Sequence, residues 1–305
     1  MSDEFEAAAT YGEALRAAIA LLRATGASET PELDAQVLLA HVTGVTRARL
    51  LAYPERALTR EQVGAFVALA RRRGAGEPIA YLTGHREFMG LDFLTDPRAL
   101  IPRPETELLV EAALGEGRAR LDRGETPTVA DIGTGSGAIA VSVAALEPRL
   151  PRVYATDVAP DALALASDNA SRLGVAQRVT FLLGDLLEPL REPLDVLLAN
   201  LPYVAPREAS TLAPAVARFE PSLALYGADD GLGHLRRLFA QAPAHLRADA
   251  TLLLEFGYDQ RTAVETLARA TFPGCSVRVG ADYAGWDRYI VVHLKPAIDD
   301  TGLAH

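Results

Sequence analysis

The sequence predicts an α/β protein: a mostly parallel sheet of seven strands with helices on both faces, preceded by a small all-helical N-terminal domain and joined to it by a hairpin linker. Three observations predict it. From Thr126 onward, short apolar runs alternate with helical patterns, the signature of a largely parallel sheet. Up to about residue 75, apolar residues recur at helical spacing behind capping residues. Between the two, prolines and glycines punctuate the chain. The expected division is therefore 1–75 helical, 76–107 hairpin and proline-flanked linker, 108–296 sheet domain and 297–305 polar, flexible tail.

In the helical region, Leu15, Ala18, Ile19 and Leu22 form one face of a helix that Gly26 stops. Thr30-Pro31-Glu32 supplies a cap, a proline at the first helical position and an early acid, with Leu33, Val37 and Leu38 behind them. Thr59-Arg60-Glu61-Gln62 is a capping-box pattern followed by a stripe of Val63, Phe66, Val67 and Ala70. Arg71-Arg72-Arg73 would suit nucleic acid, but three cations in a last turn read better as complements of the helix dipole on a solvated face. Gly74-Ala75-Gly76-Glu77-Pro78 reads as a break between domains.

In the linker, Phe88, Leu91, Phe93 and Leu94 among turn formers suggest a short hairpin. Ile101-Pro102-Arg103-Pro104-Glu105-Thr106-Glu107 is kept extended by its prolines and starts a helix from Glu105, with acids in the first turn.

The first strand, Val129 to Ile132, runs into Gly133-Thr134-Gly135-Ser136-Gly137 and a helix bearing Ile139, Val141 and Val143. Glycines there let a backbone approach a ligand beside a helix N-terminus. The second strand, Val153 to Thr156, ends at Asp157, spaced to take ribose hydroxyls. The third, Val179 to Leu183, ends at Gly184-Asp185, where a carboxylate could meet an adenine amine or simply serve a turn. The fourth, Leu194 to Ala199, delivers Asn200-Leu201-Pro202-Tyr203 to the carboxyl edge, where open α/β sheets bind ligands. Pro202 disfavours helical geometry at Leu201. The Asn200 side-chain oxygen and the Leu201 carbonyl then make two acceptors beside the Tyr203 ring, a cradle for a planar NH2 group. Thr251 to Phe256 is a fifth strand, and Val277 to Val279 with Tyr289 to Val292 a closing pair. Arg218-Phe219-Glu220-Pro221 and Gly227 to Leu232 lie in the long crossover before the fifth strand, where loops can wall a substrate site.

Composition bounds the partners. A formal charge of -10 argues against broad phosphate-driven affinity for nucleic acid. The single cysteine, Cys275, reads as a small core hydrophobe and fits a reducing cytoplasm. His41 and His85 lack partners at metal-ligand spacing, so no metal is expected. The start, Met1-Ser2-Asp3-Glu4, shows no secretory pattern and no apolar run approaches membrane-spanning length, so a soluble cytoplasmic protein is expected.

Taken in order, the proline-flanked stretch, Asp131-Ile132-Gly133-Thr134-Gly135-Ser136-Gly137, Asp157, Asn200-Leu201-Pro202-Tyr203 and Arg218-Phe219-Glu220-Pro221 resemble the peptide-chain release factor glutamine N5-methyltransferase family over nearly the whole chain. The proline-flanked stretch is the most specific element of that likeness. The resemblance implies a Rossmann-like methyltransferase sheet and methyl transfer from S-adenosylmethionine, leaving S-adenosylhomocysteine. The acceptor it implies is the side-chain nitrogen of the Gly-Gly-Gln glutamine of class I release factors, held with help from the helical domain. It assigns Asn200, Leu201, Pro202 and Tyr203 to catalysis and to the substrate amide, together with Arg103, Glu105 and Thr106. It assigns Asp131, Gly133, Thr134, Gly135, Ser136, Gly137, Asp157, Asp185, Leu186 and Asn200 to the cofactor. Two positions depart from the family pattern: Leu201 stands where a proline is usual, and Leu186 where an aromatic often lies beside the adenine.

Rival readings stay open. Asn-Leu-Pro-Tyr is also similar to the motif of rRNA adenine dimethyltransferases, and an exocyclic adenine amine of RNA or DNA fits the same cradle. A ribosomal-protein glutamine is a further acceptor. Gly133-x-Gly135-x-x-Ala138 fits a nicotinamide fingerprint too, which would make an oxidoreductase but leave the asparagine motif without a role. A non-catalytic module that retains cofactor binding is the remaining class.

Overall fold

The computed structural model describes residues 8–228 and 230–294; the expected tail from 297 and the first four residues lie outside the described residues. The described chain forms two compact units: one runs to His85 and includes Ala213–Phe219, and the other comprises Arg86–Leu212 and the residues from Glu220 onward.

The first unit holds α1 (Tyr11–Thr25), α2 (Pro31–Thr43), α3 (Arg47–Ala52), α4 (Arg60–Gly74) and α5 (Ile79–Thr83). Thr10 with Glu13 and Thr59 with Gln62 complete reciprocal capping boxes, and Gly26 ends α1 at φ 64°. Leu15, Leu22, Leu38, Leu39, Leu50, Phe66 and Leu82 share one core.

The helical unit departs from the sequence pattern at three places. The buried face of α2 is Ala35, Leu38 and Leu39, while Leu33 is exposed. Its orientation is set by Asp34, itself buried, which accepts from Arg73 Nε at 2.6 Å and from the Ser28 hydroxyl at 2.6 Å. Arg73 is thus a mostly buried partner of Asp34, not a cation on a solvated face, and Arg72 pairs with Glu77. The break expected at Gly74 to Pro78 falls inside this unit, because α5 adds Leu82 to the same core.

In the second unit, β1 (His85–Phe88) and β2 (Leu91–Leu94) form the hairpin, and α6 (Pro104–Asp122) follows the proline-flanked stretch. The sheet then takes β3 (Val129–Ile132), β4 (Val153–Asp157), β5 (Val179–Leu183), β6 (Leu194–Ala199), β7 (Leu246–Glu255), β8 (Ser276–Ala281) and β9 (Asp287–His293). Their order is β5-β4-β3-β6-β7-β9-β8, parallel except at β9 and β8. The intervening helices are α7 (Ala138–Leu146) after β3, α8 (Pro160–Arg172) after β4, α9 (Pro214–Phe219, in the first unit), α10 (Gly233–Gln241) before β7 and α11 (Arg261–Thr271) after it. β7 starts five residues before the expected Thr251, since Arg247 and Asp249 interrupt its first residues, which carry no continuous apolar run.

The two sheet faces alternate, as the period of a strand requires. Val129, Val196, Leu198 and Leu253 pack with α6 and α7, while Ala130, Leu197, Leu252 and Leu254 pack with α10 and α11. Leu198 pairs with Leu253 and Ala199 with Leu254. One step further, Asn200 and Glu255 leave the carboxyl ends of β6 and β7 as neighbours on the α6 face.

Candidate active site

The strand ends frame one cavity, lined among others by Arg103, Thr106, Gly133 to Ser136, Asp157, Asp185, Leu186, Asn200, Leu201 and Pro202. Order of strands explains the convergence: β3 lies between β4 and β6, so the glycine loop sits between Asp157 and Asn200. This is the crevice at a topological switch point.

Gly133 shows why the loop needs glycine. Its φ is 73°, and a Cβ there would stand 2.7 Å from Leu201 Cδ2. Leu201 thus fills space over the loop, and its replacement of proline has a packing consequence. The loop is also tied down: Gly135 N–H donates to Asp157 Oδ2 at 2.9 Å, and Ala159 N–H to Asp157 Oδ1 at 2.9 Å.

Asp131 does not line the cavity. It is fully buried beneath the loop, where one carboxylate oxygen accepts from the Thr134 hydroxyl at 2.6 Å and from Ala140 N–H at 3.2 Å. Its other oxygen is buried with no partner among the described residues. Burial pushes its carboxyl up to about 7. The structure therefore makes Asp131 a support of the loop instead of a cavity wall.

Asp185 and Leu186 reach the cavity from the end of β5. Asp185 is held by Arg237. Leu186 has φ 51°, a left-handed conformation unusual outside glycine, and its carbonyl accepts the Thr156 hydroxyl at 2.9 Å.

The Asn200 motif sits in a polar network. Asn200 Nδ2 donates to the Thr106 hydroxyl at 3.0 Å, and that hydroxyl donates to Glu255 Oε2 at 2.7 Å. A hydroxyl has one proton, so Thr106 can only accept from Asn200 once it donates to the carboxylate. This fixes which end of the amide faces the cavity: Asn200 Oδ1. Within the described residues, neither Oδ1 nor the Leu201 carbonyl accepts a hydrogen bond.

Tyr203 stands differently from the expected ring beside the acceptors. It is absent from the cavity lining; its hydroxyl lies 3.5 Å from Glu255 Oε1 and its carbonyl accepts from Gln260 Nε2 at 3.0 Å. Burial pushes the Tyr203 hydroxyl up to about 12, with the neighbouring Glu255 adding and Arg288 opposing. Glu105 likewise does not line the cavity.

Arg103 is anchored by Glu220, which accepts from its guanidinium at 2.6 Å and from Ile101 N–H at 3.2 Å. In the crossover motif Pro221 lines the cavity and Glu220 acts on it through Arg103, whereas Arg218 donates to the Ala75 carbonyl at 3.0 Å within the first unit.

Sequence reasoning misses Glu255. Burial pushes its carboxyl up to about 7, against the hydrogen bond from Thr106 and the charge of Arg288. The one signal for it is an acid ending an otherwise apolar strand at the ligand-binding edge.

Family models match both parts of the chain: one described as "PrmC N-terminal domain" over residues 13–84, and one described as "Methyltransferase small domain" over residues 106–219. Among curated relatives named "Release factor glutamine methyltransferase", that of Moorella thermoacetica is 49% identical over 287 residues, spanning 94% of this chain and 99% of that protein. That of Cereibacter sphaeroides is 42% identical, spanning 93% and 99%, and that of Vibrio cholerae 39%, spanning 94% and 97%. The likeness therefore runs through the helical unit as well as the sheet.

Proposed function

This chain belongs to the release factor glutamine methyltransferase family, and on that premise we propose that it moves a methyl group from S-adenosylmethionine to the side-chain amide nitrogen of the Gly-Gly-Gln glutamine in class I release factors. The observation that carries the reading is the oriented Asn200 amide. Its Oδ1 and the Leu201 carbonyl are two open acceptors on the cavity, the complement of a carboxamide NH2.

The cavity also suits the cofactor. The glycine cradle leaves room where a side chain would clash, the Asp157 carboxylate is fixed by two backbone N–H groups for ribose hydroxyls, and Leu186 offers an apolar wall. S-adenosylmethionine, when bound, supplies an electrophilic methyl group on a sulfonium.

An amide nitrogen is a weak nucleophile because its lone pair is delocalised into the carbonyl. Asn200 Oδ1 and the Leu201 carbonyl take the two N–H groups and turn the nitrogen toward the methyl. Those hydrogen bonds strengthen as the nitrogen gains positive charge, so they favour the transition state over the ground state. S-adenosylmethionine would supply the methyl group to that nitrogen and leave as the neutral thioether, while Asn200 and Leu201 would hold the nitrogen until its proton passes to water. Position does most of the work, and no dedicated base is needed.

Residues 1–75 would serve substrate recognition. Stable nucleic-acid binding is not expected at a formal charge of -10. Among the described residues no helix is long and apolar enough to cross a membrane, and a substrate that works in translation would favour a cytoplasmic location.

The test is transfer of a labelled methyl group to a purified release factor beside a copy with Gly-Gly-Gln changed to Gly-Gly-Ala. Label that disappears with the glutamine is the expected result. Label on deproteinised rRNA and none on either factor would overturn the reading in favour of adenine.

A further inference from the structure

Glu255 is 2% exposed and does not itself line the cavity, yet it ends the chain of hydrogen bonds that holds Asn200. The groups around it come from three elements. Thr106 and Glu105 stand in the first turn of α6, Tyr203 follows β6, and Arg288, paired to Asp282 at 2.9 Å, lies on β9. Only an acceptor at Glu255 forces the Thr106 proton away from Asn200. Were that proton free, Thr106 could donate to Asn200 Oδ1, and the amide would turn its NH2 toward the cavity. Two NH2 groups would then face each other, and the substrate amide would lose its acceptor.

We propose that Glu255 is a positioning residue for methyl transfer, setting the polarity of the Thr106 hydroxyl and through it the orientation of the Asn200 amide. The inference rests on the functional reading above for its kinetic consequence, but the polarity of the network is a property of this chain alone. Ionised Glu255 accepts only; the protonated carboxyl can itself donate to Thr106 and release the relay. Because burial pushes this carboxyl up to about 7, the relay is set as the pH rises through neutrality. Glu105 raises that carboxyl further, while Arg288 and Tyr203 lower it.

The experiment measures single-turnover methyl transfer to a release factor at saturating S-adenosylmethionine between about pH 6 and pH 9. It compares wild type, Glu255→Gln, Thr106→Ser and Thr106→Val, with calorimetric cofactor affinity for each. The wild-type rate should climb with an inflection near 7, the value to which burial raises Glu255. Glu255→Gln should be flat and roughly 10-fold slower at the top of the profile, the size of one misdirected hydrogen bond, with cofactor affinity within about 2-fold. Thr106→Ser, which keeps the hydroxyl, should retain the inflection and Thr106→Val should lose it. A Glu255→Gln enzyme that keeps the wild-type profile would overturn the proposal, as would full activity in Thr106→Val.

A second readout needs no methyl acceptor: the Asn200 side-chain amide resonances, identified by their loss in Asn200→Ala. They should titrate near pH 7 in wild type and not in Glu255→Gln. A missing titration sinks the relay even if the release factor is methylated. A titration with no methylation of any release factor sinks the substrate reading and leaves the relay standing.

Discussion

Two buried carboxylates, Asp131 at the end of β3 and Glu255 at the end of β7, look alike by burial and differ in everything else. Both are at most 2% exposed and both are raised to about 7 by desolvation. Asp131 bonds to residues three and nine positions further along, so it closes its own loop. Glu255 bonds to a hydroxyl 149 residues away and lies beside a tyrosine 52 residues away, so it joins three segments of the chain. The first secures the wall that would hold the cofactor, and the second aims the group that would hold the methyl acceptor. Similar desolvation would thus serve two different halves of one reaction.

The largest expected effect tests the likeness. A carboxyl raised in the fold contributes stability that is fully present below its unfolded value and is lost as pH rises toward the folded value. For Asp131 that window runs from 3.8 to about 7, and for Glu255 from 4.5 to about 7. Each pH unit of such a window is worth roughly 1.4 kcal/mol, so Asp131→Asn should remove about 4 kcal/mol, and Glu255→Gln about 3 kcal/mol, of the fall in unfolding free energy across it. Urea midpoints across pH would measure it. If either variant kept the wild-type slope, that carboxyl is not raised, and the comparison fails on that side.

The next effect tests the difference. Asn200→Ala should lower methyl transfer by roughly 10²-fold or more, by analogy with removing one preorganised hydrogen-bonding group, with little change in cofactor affinity. Near-normal turnover would take Asn200 out of the mechanism. Gly133→Ala should act on the other half. It places a Cβ 2.7 Å from Leu201 Cδ2 at a φ of 73°, and strain of about 1–2 kcal/mol should appear as roughly 10-fold weaker cofactor binding. Restoration of affinity by Leu201→Ala in the same protein would locate the cause in that one contact.

The same contrast explains what is legible in the sequence. The seven strands, the glycine loop and Asn200 announce themselves through local pattern: apolar runs, turn formers and a motif at a strand end. Asp131 is visible too, as part of that loop, though its place beneath it instead of in the cavity depends on which way the strand's side chains alternate. Glu255 is not visible, because its meaning comes from β7 lying next to β6 and from α6 crossing their ends. Local pattern makes Tyr203 a ring for the substrate and Leu33 part of a buried stripe. In the fold the hydroxyl of the first lies beside Glu255, and the second is exposed while its neighbour Asp34 is buried against Arg73. In each case a polar contact from a segment distant in sequence accompanies the departure from the local pattern.

The smallest effect falls on the boundary between the two halves. Asp157 fixes the loop through Gly135 N–H and its own turn through Ala159 N–H, and it lines the cavity. Asp157→Ala would therefore remove both a loop tie and the acceptor proposed for the ribose. Asp157→Asn keeps one acceptor oxygen and replaces the other by a donor, which would face the Gly135 or Ala159 N–H. Loss of one charge-assisted contact predicts a decrease in cofactor affinity of about 10-fold for alanine, with the rate at saturating cofactor within a few-fold of wild type. Calorimetry gives the first number and single turnover the second. Unchanged affinity would leave Asp157 with the loop alone. A lowered rate at saturation would mean instead that the glycine loop helps to aim the methyl group, and that the separation between the wall built on Asp131 and the aim set by Glu255 is incomplete.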